Sequence, residues 1–325
     1  MYIYSSKIKQ NKHTPMSETE ILVITPVGGY DTIPTQGGGL GGLEKSAITQ
    51  CAVDPKGIKK ICSAPEQLRE MKSFLVKQGC TPGSVRGLDT DGVLKTLKKK
   101  LNVETESEIY THDAFRRHIG GSKADAILKD KFVPDGPSDS TALLDNFNID
   151  NTLSQWASGS KKEFGKKFHH IPFQMIDFVS NNTELAKLSI PDLKKNGFDC
   201  FGVVLNTDVS TGRGKHWFAI YGDLQHTGTD DDPYVLEYFN SSGYPPRPEV
   251  STWMETVKHD LAKDYKKHVK IVHATHKQIQ YSRTECGVWS LVYILSRLLG
   301  KPPNWIATIG ANDSDMIEFR KRLFK

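Results

Sequence analysis

The stretch QYSRTECGVWSLVYILSRLLG, residues 280–300, joins a polar loop to the most apolar run of the chain. Residues 287–296 carry no charge, which is typical of a buried helix, and Gly300 predicts its end. Cys286 therefore lies where the loop becomes the first turn of a helix. Unpaired backbone N–H groups and the helix dipole favour a thiolate there, and the thiolate is the reactive form of cysteine.

A nucleophilic cysteine needs a base, a group that orients the base, and donors for an oxyanion. His216 begins the strand-like run HWFAIYGDL, and Asn240 ends the next such run, YVLEYFN. If the two strands pair, the amide oxygen of Asn240 can contact the imidazole. Gln280, six residues before Cys286, can offer its NH2 group to the oxyanion. Each residue also has an ordinary interpretation: a hydrogen-bonded strand histidine, a turn asparagine and a solvated loop glutamine.

The order His-Trp, then Tyr-Phe-Asn-Ser-Ser-Gly, then Gln-x5-Cys-Gly-Val-Trp resembles the ubiquitin-like-protein protease and adenain superfamily of cysteine proteases. Within it, the closest resemblance is to polyprotein-processing proteases of large nucleocytoplasmic DNA viruses, and it covers about residues 143–300. The resemblance implies that Cys286 is the nucleophile, His216 the base, Asn240 the orienting residue and Gln280 the oxyanion donor. We expect Cys286 and His216 to form a thiolate–imidazolium pair.

The third position of this pattern departs from most cellular members, which carry Asp where this chain has Asn240. A neutral amide can orient an imidazole, but it does not stabilise an imidazolium by charge. Glu237 is a poor substitute, because alternation along a strand directs it to the opposite face.

Composition along the chain divides it into a flexible Gly-rich segment over 1–48, a helical accessory region over 49–135 and a third region over 136–325, which the resemblance implies is a cysteine protease domain. The predicted fold class is α+β, a papain-like cysteine protease domain of the adenain or SUMO-protease type with a mainly helical N-terminal extension. The periodicity predicts strands and helices as follows: strands over 200–205, 216–221, 234–239 and 269–274, and helices over 92–103, 250–265 and 287–299.

The start of an earlier helix is predicted from a capping box formed by Ser63 and Glu66, with Pro65 in the first turn and Gly79 after the last. In the helix over 92–103, one face carries three consecutive lysines. They form either a solvated face or a weak contact to DNA through Lys98, Lys99 and Lys100.

The overall composition indicates a water-soluble globular protein, with 37% apolar and 25% charged residues among 325 and a net charge of +5. No run is long enough to cross a bilayer, and the polar N-terminus does not resemble a secretory signal, so we expect neither membrane insertion nor secretion. Five widely spaced cysteines without a C-x-x-C pair predict reduced thiols, and we expect no metal and no cofactor. Gly37, Gly39 and Gly42 satisfy G-x-G-x-x-G but lack the strand and helix that a dinucleotide site requires.

The resemblance also implies a substrate and a location. Superfamily members cleave after Gly-Gly, which enters a narrow tunnel walled by aromatic residues, and Trp156 and Trp217 are the candidate walls here. The predicted substrate is a structural polyprotein, or another peptide with Gly-Gly, processed during virion maturation in the virion and host cytoplasm. The Gly-rich segment ending at Gly42 is a candidate self-processing site.

Two other functions fit the same residues. One is a deconjugase that removes SUMO or another ubiquitin-like modifier. The other is a catalytically idle virion or DNA-binding protein built on a protease fold.

Overall fold

The computed structural model describes residues 51–52, 61–139 and 142–324. The Gly-rich segment over 1–48 and the candidate processing site at Gly42 lie outside these residues. The first part of the described chain is helical, as predicted, and its six helices are α1 (Pro65–Lys77), α2 (Pro82–Arg86), α3 (Thr90–Leu101), α4 (Glu106–Thr111), α5 (Asp113–Ile119) and α6 (Gly121–Lys131). Their apolar faces meet in one core, where Phe115 makes edge-to-face contacts with Phe74 and Tyr110.

The start of α1 corrects the predicted capping box. The N-cap is Ala64, and its N–H donates to the side chain of Gln67 at 2.8 Å. Ser63 instead donates from its N–H and its hydroxyl to the carboxylate of Glu106, at 2.8 and 2.5 Å. The helix begins where expected, but Ser63 bonds to Glu106 of α4 and not to Glu66 in the first turn of α1.

A disulfide joins Cys51 to Cys62, so the prediction of five reduced thiols is wrong. Cys51 forms an isolated bridge with Phe132, and Ala52 donates to the carbonyl of Lys131, at the end of α6. These contacts bring Cys51 beside the residues that precede α1. Cys80, Cys200 and Cys286 are free.

A six-stranded sheet forms the second part of the fold. Its strands are β1 (Phe168–His170), β2 (Gln174–Met175), β3 (Cys200–Asn206), β4 (Trp217–Asp223), β5 (Tyr234–Phe239) and β6 (Val269–His273). The order is β1-β3-β4-β5-β6, and β2 also pairs with β3. The central strands β3, β4 and β5 are antiparallel, whereas β1, β2 and β6 pair parallel to their neighbours.

Helices cover both faces of this sheet: α7 (Asn146–Phe164), α8 (Ile190–Lys195), α9 (Pro248–Tyr265), α10 (Cys286–Leu298), α11 (Trp305–Thr308) and α12 (Asp313–Leu323). Alternate residues of β4 point to the two faces of the sheet. Ala219 and Tyr221 belong to the core that contains α10, whereas Phe218 and Ile220 belong to the core that contains α9. Every residue of α10 is buried, as its apolar sequence predicts. In the described part of the chain, no helix combines the length and apolarity that a membrane span needs.

Candidate active site

Strand pairing brings the predicted base and its orienting residue together. Strands β4 and β5 are antiparallel with Ala219 opposite Phe239, so the start of β4 lies beside the end of β5. His216 immediately precedes β4 and Asn240 immediately follows β5. Continuing the register past Phe239 places His216 opposite Ser242. The two loops therefore present their side chains at one edge of the sheet.

The imidazole of His216 is held through its Nε2 atom. Nε2 lies 2.8 Å from Oδ1 of Asn240 and 3.1 Å from the hydroxyl of Ser242, and this hydroxyl donates to the same Oδ1 at 2.7 Å. The amide of Asn240 is fixed from its other side, because Nδ2 donates to the hydroxyl of Tyr238 at 3.0 Å and to the carbonyl of Tyr244 at 3.4 Å. Since Nε2 is occupied, Nδ1 is the nitrogen that remains to accept a proton.

The thiol of Cys286 lies at the first residue of α10 and is 3% exposed. The backbone N–H groups of Trp217, Gly287 and Cys286 itself lie close enough to its sulfur to lower the pKa of the thiol. Because Trp217 directly follows His216, this contact places the sulfur at the same end of β4 as the imidazole.

Burial sets the protonation of both groups. Burial raises the pKa of Cys286 above the ordinary thiol value, and the three N–H groups lower it by less. Burial also lowers the pKa of His216, although the hydrogen bond to Asn240 opposes that shift. Burial therefore favours the uncharged form of each group. The thiolate–imidazolium pair that the sequence predicts stays a prediction, which alkylation of the thiol at different pH values tests.

Gln280 is oriented by the residue next to Asn240. The hydroxyl of Ser241 donates to Oε1 of Gln280 at 2.6 Å, and Nε2 of Gln280 donates to the carbonyl of Ser282 at 2.8 Å. The backbone N–H of Gln280 also donates to the carbonyl of Ser241 at 3.0 Å. These bonds tie the loop after β5 to the loop that leads to Cys286.

Two serines that the sequence motifs did not single out orient the site. Ser241 contacts Gln280, and Ser242 contacts both His216 and Asn240. Gly243 completes the turn at φ +73°, where an added Cβ would lie 2.4 Å from the backbone of Lys277. The available signal was the run Asn-Ser-Ser-Gly directly after a strand, since short polar side chains in a turn bond to nearby groups.

The two tryptophans predicted to line a substrate tunnel, Trp217 and Trp156, lie on different elements, β4 and α7. Trp217 is beside the site, and its indole N–H donates to the carbonyl of Leu144 at 3.0 Å. Leu144 also contacts Gly287, where an added Cβ would be 3.0 Å from the leucine Cβ. Trp156 lies in α7, roughly 15 Å along the helix axis from its start. It belongs to the same hydrophobic core as Trp217 and Cys286, and it also lines a cavity of about 530 Å³ together with Cys62, Ser63 and Ala64.

A buried ion pair directly precedes the thiol. Both nitrogens Nε and Nη2 of Arg320 lie 3.0 Å from the carboxylate of Glu285, and neither side chain is exposed to solvent. Arg320 also donates to the carbonyls of Thr284 and Ala142, at 2.9 and 2.6 Å. It thereby connects α12 to the segment that precedes Cys286 and to the segment that leads to Leu144.

Two other predictions concern DNA binding and metal binding. Lys98, Lys99 and Lys100 form the last turn of α3, so binding of DNA there stays a prediction. Among the described residues, no three His, Cys, Asp or Glu side chains are placed to hold a metal ion.

Comparison with known proteins identifies the family. No model of a protein family matches the chain. A SUMO-1 cysteine protease of African swine fever virus (isolate Tick/South Africa/Pretoriuskop Pr4/1996) is 34% identical over 278 residues, which are 82% of this chain and 98% of the relative. A putative thiol protease of Acanthamoeba polyphaga mimivirus is 25% identical over 225 residues, 66% of this chain and 68% of the relative.

A solved structure gives the same result. The crystal structure of the African swine fever virus protease superposes with a TM-score of 0.64 at 30% identity, covering 86% of this chain and 97% of that chain. The predicted fold class, an α+β cysteine protease domain with a helical N-terminal region, is thereby confirmed. The chain belongs to the family of viral cysteine proteases that includes the African swine fever virus enzyme, and it is a thiol protease.

Proposed function

We propose that the chain is an endopeptidase that cleaves structural polyproteins after Gly-Gly during virion maturation, with Cys286 as nucleophile, His216 as base, Asn240 as orienting residue and Gln280 as oxyanion donor. The observation that supports this assignment best is the hydrogen bond between His216 and Asn240, at 2.8 Å. It fixes the imidazole through Nε2 at the strand end where the backbone N–H of Trp217 lies close enough to the sulfur of Cys286 to lower the pKa of the thiol. A base held in this way can accept a proton through its other nitrogen.

The reaction begins from the neutral pair. Nδ1 of His216 takes the proton of the Cys286 thiol as the sulfur attacks the carbonyl carbon of the scissile peptide. The oxyanion accepts hydrogen bonds from the NH2 group of Gln280 and the backbone N–H of Cys286. The imidazolium then protonates the leaving amine, and the C–N bond breaks to leave a thioester. Water attacks the thioester with His216 as base, which releases the carboxylic product and restores the thiol.

Ser242 compensates for the missing carboxylate during this reaction. When His216 is protonated, its Nε2–H group meets two oxygen acceptors, Oδ1 of Asn240 at 2.8 Å and Oγ of Ser242 at 3.1 Å. Neither oxygen carries a full charge, but two dipoles in a half-buried site stabilise the imidazolium more than one. The pair takes the role that Asp has in most cellular relatives of this fold.

The preference for Gly-Gly is supported by the restricted space at the sulfur. Cys286 is 3% exposed. A carbonyl reaches such a buried sulfur most readily when the residues beside it lack Cβ atoms.

A cleavage assay tests the proposal. Peptides of the form Gly-Gly-X, with matched peptides that carry Ala-Ala, are incubated with the protein and with Cys286→Ser as control. We expect cleavage after the second glycine by the wild-type protein alone, and slower or no cleavage of the Ala-Ala peptides. Cleavage by Cys286→Ser at the wild-type rate, or equal cleavage of both peptides, would contradict the proposal.

Removal of SUMO is a second candidate, favoured by the name of the African swine fever virus relatives, SUMO-1 cysteine protease. A SUMO fusion added to the same assay separates the two functions. Faster cleavage of the polyprotein peptide supports maturation, and faster cleavage of the fusion supports the second candidate. The location in the virion and host cytoplasm stays a prediction.

A further inference from the structure

The most exposed large apolar side chains of the described residues lie on the segments that carry the candidate active site. The four with the highest exposure are Tyr281 (77%), Tyr244 (71%), Phe147 (69%) and Leu143 (61%). Exposed apolar groups that cluster in one region usually mark a binding surface, whereas single ones scattered over a surface need no explanation.

Leu143 and Phe147 are tied to the site through Leu144. Leu144 contacts Gly287, the residue after the nucleophile, and its carbonyl accepts from the indole of Trp217. Leu143 is its direct neighbour in the chain, and Phe147 lies in the first turn of α7. The pair is therefore exposed at the start of α7, next to the residue that covers Gly287.

Tyr244 and Tyr281 are tied to the site through the two loops. The carbonyl of Tyr244 accepts from Nδ2 of Asn240, and the amide of Asn240 orients His216. Tyr281 follows Gln280, and its N–H donates to Asp313 at 2.7 Å, which fixes its backbone. Both backbones are held by hydrogen bonds while their rings face solvent. Side chains held in this way lose little conformational freedom when a partner binds.

We propose that these four side chains, the apolar collar, bind apolar side chains of the polypeptide substrate on the residues that flank the cleaved bond. The collar lies on the segments that carry the candidate site, and under the proposed function the glycines beside the cleaved bond offer no side chains, so recognition beyond them depends on this surface. Aromatic and leucine side chains there release water when they contact Leu, Ile or Phe of a substrate. The inference deepens the proposed function and rests on Cys286 being the nucleophile.

A binding experiment tests the collar without requiring cleavage. The full-length Cys286→Ser protein is titrated into three fluorescent peptides, and binding is followed by fluorescence polarisation. The first peptide carries Leu and Phe on both sides of Gly-Gly, the second carries Ser at those positions, and the third keeps Leu and Phe around Ala-Ala. We expect the first to bind about tenfold more tightly than the second.

Variants then assign the effect to the collar. In the same protein, Tyr281→Ala or Phe147→Ala should weaken binding of the first peptide about tenfold and leave the second unchanged. Tyr265→Ala is the matched control: this tyrosine is 54% exposed at the end of α9, near the pairing of Val269 with Tyr234 at the opposite end of β5 from Asn240. Its loss should change neither affinity.

The outcomes separate the collar from the proposed function. Equal affinity for the first two peptides, or a loss in Tyr265→Ala equal to that in Tyr281→Ala, would overturn the collar. Tight binding of the first and third peptides, combined with no cleavage of the first by the wild-type protein, would support the collar and contradict cleavage after Gly-Gly.

Discussion

The helix that carries Cys286 is held by charged side chains, whereas the side chains that bond to His216 are neutral. At the N-terminal end of α10, Glu285 forms a buried ion pair with Arg320. Near the C-terminal end, Arg297 forms another with Glu237, whose carboxylate also accepts from the hydroxyl of Tyr293 at 2.5 Å. The contacts of His216, by contrast, are an amide and a hydroxyl.

The ion pairs fix the position of α10, whereas the neutral groups around His216 affect its protonation. A buried ion pair costs desolvation, but its geometry is fixed, because moving either partner leaves an uncompensated charge. Such pairs suit a helix whose first residue must be placed accurately. A permanent charge beside the imidazole would instead favour the protonated form before a substrate arrives. Neutral partners suit the proposed role of His216 as a base that gains its charge during the reaction.

The largest expected effect comes from breaking the ion pair next to the thiol. Arg320→Met leaves the carboxylate of Glu285 buried without its positive partner, so we expect the free energy of unfolding in urea to fall by about 3–5 kcal/mol. The double variant Glu285→Met/Arg320→Met should recover part of that loss. Arg117→Met, at an exposed arginine of α5, is the matched control and should change stability little. An Arg320→Met protein as stable as the wild type would show that the pair does not hold α10.

The next largest effect is expected from removing the neutral group that holds His216. Asn240→Ala removes the main hydrogen bond to His216, so the imidazole loses its fixed orientation and tautomer. We expect kcat/KM for a Gly-Gly peptide to fall about 100-fold, while the urea midpoint changes much less than in Arg320→Met. Asn240→Asp keeps an oxygen acceptor and should retain most of the activity. Unchanged kcat/KM in Asn240→Ala would remove Asn240 from the mechanism.

The long elements of the fold could be predicted from the sequence. Strands β3 to β6 and helix α10 lie within two residues of their predicted bounds, because each has a sustained apolar pattern. Strands β1 and β2 have three and two residues, too few to show alternation, and they were missed. The disulfide was also missed, because it depends on Cys51 meeting the end of α6, a contact that cysteine spacing does not reveal.

For the site, the sequence predicted candidate residues but not the groups that support them. The order of His216, Asn240, Gln280 and Cys286 was sufficient to select these candidates, since each lies at the boundary of an element. The contacts of Ser241 and Ser242 depend on register and rotamers, and the partner of Glu285 lies 35 residues away. Trp156 lines a cavity with the residues that precede α1, and residue type alone does not say which surface a tryptophan of α7 meets.

A smaller effect is expected from Ser242→Ala, which removes the second acceptor of the imidazolium. We expect kcat/KM to fall about tenfold. The protonated form of His216 also loses a partner, so its pKa should fall further below about 6.5, and the acid limb of the pH profile should move to lower pH. Ser241→Ala is the matched control: it frees Gln280 and should lower kcat without moving that limb. A fixed acid limb in Ser242→Ala would restrict the serine to a structural role.

The smallest effect tests whether the resting pair is neutral. Burial raises the pKa of Cys286, so the rate of its alkylation by iodoacetamide should rise with pH and reach half its maximum above about 8.5. An ion pair would instead give a constant rate across neutral pH. The measurement uses a Cys80→Ser background, since burial raises the pKa of Cys200 to about 12 and keeps that thiol unreactive.

Asn240→Asp sharpens this test, because it places a charge where the wild-type site has a dipole. The carboxylate should raise the pKa of His216, favour the imidazolium and so stabilise the thiolate, and alkylation near pH 7 should become a few times faster. Asn181→Asp, at an exposed asparagine, should leave the rate unchanged. If Asn240→Asp does not increase the rate, the neutral character of the site does not control the thiol. The ion pairs of α10 and the neutral partners of His216 would then differ in how they hold the structure, without an effect on the reactivity of the thiol.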